Sequence, residues 1–75
     1  MMERRIKLAP EEVAHFVEAA RKCDFEIDIA YKGFTVDAKS ILGVLALDLG
    51  QMLTVSYCGY NEEFENVLMS LAIAC

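Results

Sequence analysis

The 75-residue chain is poor in the residues from which most enzymatic and metal centres are built: it has one histidine, His15, one proline, Pro10, and three cysteines. Cys23, Cys58 and Cys75 are odd in number, lie far apart and form no C-x-x-C pair, so they signal neither a disulfide framework nor a zinc site and read as small apolar thiols. No metal and no cofactor is implied. No basic run exceeds the pair Arg4-Arg5 and the formal charge is −5, which argues against binding a phosphate backbone, so nucleic acid is not an expected partner. The longest apolar run, Ile41 to Leu47, is far short of the roughly 20 residues that cross a bilayer, and Met1-Met2-Glu3-Arg4-Arg5 leads into no signal-peptide core. The expected location is cytoplasmic, away from membranes.

What is present is a globular composition, 56% hydrophobic and 25% charged, with no repeat or low-complexity tract. The length allows one domain, residues 1–75, of the size that buries about 60% of its unfolded surface. The first strand reads Arg4-Arg5-Ile6-Lys7-Leu8, with Ile6 and Leu8 on one face. Pro10 suits a first helical turn, with Glu11 and Glu12 at the positive end of the dipole. Val13, Phe16, Val17 and Ala20 then recur at helical spacing to about Cys23, with Glu12, His15, Glu18, Ala19 and Lys22 facing out. Phe25, Ile27, Ile29 and Tyr31 alternate with Glu26, Asp28, Ala30 and Lys32 as a half-buried strand. Lys32-Gly33 supplies a tight turn into a third strand carrying Phe34 and Val36 on the same face. A short helix over 41–48 follows, then a strand from Met52 to Cys58 with Leu53, Val55 and Tyr57 inward. Asn61 caps a last helix whose core stripe is Phe64, Val67, Leu68, Leu71 and Cys75. The order is βαββαβα, with every strand apolar on one face only, which predicts an α+β fold: a four-stranded antiparallel sheet with its helices on one side.

One segment is richer than the rest. In Val36-Asp37-Ala38-Lys39-Ser40-Ile41-Leu42-Gly43-Val44-Leu45 a strand ends, Ser40 is placed to cap a helix, and that helix is almost wholly apolar. Ile41, Leu42, Val44, Leu45, Ala46 and Leu47 ring its circumference, so part of this surface must stay exposed and forms a contact patch. The run Asp-Ala-Lys-Ser-Ile-Leu-Gly-Val resembles the regulatory-serine segment of HPr, the phosphocarrier family of the bacterial sugar phosphotransferase system. Phe16-Val17 also matches a Phe-Val of the family, and the open-faced β-sandwich of that family agrees with the element order. The resemblance implies phosphorylation of Ser40 by HPr kinase/phosphorylase. It also implies docking of a transcription regulator of carbon catabolite control through Ile41, Leu42 and Leu45.

The same resemblance exposes a departure. Phosphotransfer members carry Gly-x-His-x-Arg-Pro after the first strand, the histidine bearing phosphate and the arginine steadying it. Counted without gaps from Phe16-Val17, this chain has Ala9 in the histidine slot and Glu11 in that of the arginine. If Pro10 is placed on the family's proline, Ala9 falls in the arginine slot and there is still no histidine. Alanine has no nitrogen to phosphorylate, and two glutamates repel an incoming phosphate at close range. His15 lies on the outward face past the first turn and reads as a solvated surface residue; no Ser-His-Asp or Cys-His arrangement is inferred. The sequence therefore points to a protein that is not an enzyme: an HPr-like regulatory or adaptor protein that has lost the phosphocarrier position. The alternative is a small self-associating or effector-binding domain, a homodimer for instance, with the apolar 41–47 helix or a sheet edge as its interface.

Overall fold

The computed structural model describes residues 1–73, so Cys75, expected at the end of the last core stripe, lies outside the described residues. Four strands, β1 (Met2–Ile6), β2 (Ile27–Tyr31), β3 (Phe34–Asp37) and β4 (Leu53–Tyr57), form one antiparallel sheet in the order β1-β4-β2-β3. Helices α1 (Val13–Arg21), α2 (Ile41–Leu45) and α3 (Glu62–Leu71) connect and follow them, and a 3-10 turn, Pro10–Glu12, leads into α1. α1 carries the chain from β1 past β4 to β2, and α2 carries it from β3 past β2 to β4. The two crossovers interlock, and β4 enters between two strands already made. The expected βαββαβα architecture is present.

Registers show how alternation becomes a core. Ile6 pairs with Leu53, Ile29 with Val55 and Ile27 with Tyr57, and all six side chains are buried. Their neighbours Glu3, Ser56, Asp28 and Asp37 form a row on the opposite, wet face. Phe16 of α1 and Phe64 of α3 meet with ring centroids 6.0 Å apart, and Phe64 meets Tyr57 edge to face at 5.5 Å. The Tyr57 hydroxyl donates to Glu65, which also pairs with Arg4 at 3.3 Å, so β4, α3 and β1 are joined at one corner. The β2–β3 hairpin turns at Lys32 (φ 47°) and Gly33 (φ 81°), the two left-handed residues of a type I′ turn, whose twist matches the flanking strands. No helix among the described residues is long and apolar enough to cross a membrane.

Several local expectations are corrected. The first strand ends at Ile6, although Leu8 beyond it remains fully buried. Ala19, expected outward, is buried, because α1 packs between α2 and α3 and its covered stripe widens on the side where Lys22 reaches Glu63. Phe34, expected inward, is 56% exposed: β3 is an edge strand, and its start lies beyond the reach of the short α2. That helix ends at Leu45 instead of 48. Ala46 N–H is shared between Leu42 O and Gly43 O and Leu47 N–H bonds to Val44 O, a tightening that lets Leu47 turn back into the core.

Burial divides the apolar residues into two energetic classes. Ile29→Val removes a methylene from a fully buried site, and urea unfolding is expected to show a loss of about 0.5–1.5 kcal/mol with unchanged slope; Leu42→Ala, at an exposed site, stays within about 0.5 kcal/mol. The core also predicts alkaline sensitivity. Burial first, and the Glu65 carboxylate second, raise the Tyr57 phenol above its ordinary 10.0, and burial raises the Cys23 thiol above 9.0. Both groups bind their protons more tightly folded than unfolded. Their contribution is therefore complete below pH 9 and is lost as pH rises through the folded values. Unfolding curves from pH 8 upward are expected to show that decline, and Tyr57→Phe to flatten its upper part.

Candidate functional site

Two segments carry the candidate site residues, one at each end of the sheet: β1 leaves it at Ile6, paired with Leu53, and β3 leaves it at Asp37, in the row of Glu3. The first is the exit from β1. Ala9 is extended (φ −80°, ψ 152°) and precedes Pro10, whose missing N–H costs nothing at a helix start. The Glu12 carboxylate reaches back to accept from Ala9 N–H at 2.8 Å, while Glu12 N–H donates to Ala9 O at 2.9 Å. The turn thus closes on itself, and a methyl group is the whole of what Ala9 presents. Glu11 and Glu12 place two carboxylates in this first turn. His15 is exposed further along, on α1.

The second segment is the entry to α2. Asp37 Oδ1 accepts from Lys39 N–H at 2.9 Å and Asp37 O accepts from Ser40 N–H at 3.0 Å, which bends the chain sharply after β3. Ala38, inside that bend, is buried and donates its N–H to Ile27 O. Ser40 is extended (φ −102°, ψ 111°), and its Oγ accepts from Gly43 N–H at 3.2 Å, the capping bond that the sequence predicts. Gly43 is required for closeness: a Cβ there would lie 3.3 Å from both Ser40 Oγ and Val36 Cβ, tighter than ordinary packing. The chain leaving α2 then returns to the first segment, where Gly50 N–H donates to Leu8 O at 3.3 Å.

α2 divides its apolar residues between core and solvent. Val44 and Leu47 are buried, whereas Ile41 is 38%, Leu42 79% and Leu45 47% exposed, so the three predicted docking residues share one open surface beginning beside Ser40. The structure brings Ser40, Ile41, Leu42 and Leu45 together; Ala9 stands before the start of α1, whereas Ser40 follows a residue tied to the end of that helix, and His15 belongs to neither group. Two residues escaped sequence reasoning. Arg21 Nε donates to Lys39 O at 2.9 Å, and Gly43 sets the approach of α2 to β3. A cation in the last turn of a helix and a glycine inside a helix were the available signals. Among the described residues, no three His, Cys, Asp or Glu side chains gather as a metal site.

The family model described as the PTS HPr component phosphorylation site matches residues 10–74. The structure of HPr-C-His from Thermoanaerobacter tengcongensis is similar at a TM-score of 0.77 and 25% identity, covering 93% of each chain. That of the phosphocarrier protein HPr from Bacillus anthracis str. Ames is similar at 0.76 and 29% identity, covering 93% of this chain and 95% of the other.

Removing the cap isolates its energetic role. Ser40→Ala leaves Gly43 N–H without its acceptor and is expected to cost about 1 kcal/mol in urea unfolding, while Ser40→Asp, which keeps an oxygen at the cap, loses less.

Proposed function

Because this chain belongs to the HPr family, we propose that it is a non-catalytic regulatory or adaptor member related to the sugar phosphotransferase system, read by other proteins through Ser40 and α2 and passing no phosphoryl group through histidine. The observation that carries this reading is the β1–α1 junction, where Ala9 offers only a methyl group and the Glu12 carboxylate already occupies its N–H. An imidazole would be needed there to form a phosphorus–nitrogen bond, and a cation to steady the product. Two glutamates supply the opposite charge.

Ser40 and the exposed Ile41, Leu42 and Leu45 support the second half of the reading. Phosphorylation would join Ser40 Oγ to the terminal phosphorus of a nucleoside triphosphate held by a kinase of the HPr kinase/phosphorylase type. The nucleoside diphosphate leaves and the hydroxyl proton passes to a base of that kinase. The added charge, close to −2, changes which protein fits the adjoining apolar surface, a transcription regulator being the partner class that the family suggests. Leu42, at 79% exposure, also favours a second reading in which the same surface joins two copies of the chain.

The test combines two labellings in one tube with a true HPr. Phosphoenolpyruvate and the first enzyme of the phosphotransferase system are expected to label the control and leave this chain unlabelled; an acid-labile phosphohistidine on His15 overturns the reading. HPr kinase with labelled nucleoside triphosphate is expected to modify Ser40. Light scattering that finds a dimer indifferent to Ser40→Asp favours self-association instead.

A further inference from the structure

The end of α1 and the bend before α2 are tied by two crossed contacts. Arg21 Nε donates to Lys39 O at 2.9 Å, and Lys39 Nζ donates to Cys23 O at 2.9 Å. Each cation satisfies a main-chain carbonyl of the other segment: the Arg21 guanidinium stands beside the peptide unit that joins Lys39 to Ser40, and the Lys39 ammonium stands at the end of α1. Neither belongs to a carboxylate: among the described residues the ion pairs are Arg4 with Glu65 and Lys22 with Glu63. A guanidinium has five N–H donors and this one uses Nε, which leaves the Nη groups available; the ammonium has three and uses one. The carbonyl that anchors Arg21 precedes Ser40 directly in the chain, and consecutive Cα atoms are about 3.8 Å apart.

We propose that Arg21 and Lys39 form a clamp for a phosphate on Ser40, pairing with its oxygens and so fixing the modified serine against the end of α1. The proposal rests on Ser40 as a modified residue and adds the groups that receive the modification. Arg21 supplies the planar fork that suits two phosphate oxygens, and its carbonyl bond restricts the side chain before any phosphate arrives. Lys39, the residue before Ser40, supplies a compact second charge. Glu18 and Asp24, on or just after α1, and Asp37, at the bend, are the nearby anions in sequence, and none is paired with either cation. A purely structural role for Arg21, holding two segments together, would affect stability and leave the phosphate's own titration untouched.

Phosphoserine installed at position 40 by chemical synthesis of the 75-residue chain makes the test independent of any kinase. Phosphorus-31 NMR across pH 4–8 is expected to place the second phosphate ionisation about half a pKa unit below that of the same chain in urea. Arg21→Met is expected to recover most of that shift, Lys39→Met part of it and Arg21→Lys, which keeps charge without the fork, to fall between wild type and Arg21→Met. Lys22→Met, beside the clamp but paired with Glu63, should titrate as wild type. Identical titrations for wild type, Arg21→Met and Lys39→Met overturn the clamp. Failure of HPr kinase to label Ser40 counts against the modification alone and leaves this measurement to decide the clamp.

Discussion

The structure depends on keeping one apolar sheet face dry with very few helical residues. Ile6, Ile27, Ile29, Leu53, Val55 and Tyr57 all project to that face, and each square ångström of it withheld from water contributes about 25 cal/mol. α1 and α3 cover most of it, meeting through Phe16 and Phe64. The remainder falls to α2, whose five residues must also bridge β3 to β4. So short a helix can lend the core only part of its surface. Val44, with Leu47 just beyond, goes inward, and Ile41, Leu42 and Leu45 are left in water. The exposed patch is thus a consequence of the same apolar composition that closes the core.

The three helix starts are built in two ways. Ser40 and Asn61 bond Gly43 and Phe64 N–H groups with their side-chain oxygens. Ahead of α1 the Glu12 carboxylate folds back onto Ala9 N–H, and the start forms with no side-chain cap and only a methyl at position 9. The fold therefore has no need of a functional side chain at that junction. The family model matches residues 10–74, while the chemistry available between β1 and α1 is that of carboxylates and an apolar stub.

Ser40 occupies a different kind of place. Its bend is held by Asp37, its helix lies close to β3 because Gly43 has no Cβ, and its preceding carbonyl is held by Arg21 from the far end of α1. A cap needs only the first of these features. The extra ties make the serine a junction between α1, β3 and α2, so a charge added there acts at the edge of the exposed apolar surface.

Much was legible locally. Alternation in 27–31 and 53–57, the Lys32-Gly33 turn, the caps at Ser40 and Asn61 and the surplus of apolar residues in 41–47 are properties of neighbouring residues, and backbone geometry alone converts them into structure. That position 9 carries only a methyl group is likewise a matter of covalent identity. What packing decided is everything that depends on which element lies next to which. Ala19 is buried because α3 flanks α1, Phe34 is exposed because β3 ends the sheet, and α2 stops at Leu45 so that Leu47 can turn inward. Arg21 reaches Lys39, 18 residues away, for the same reason. Such contacts join residues distant along the chain, and periodicity carries no information about partners it does not contain.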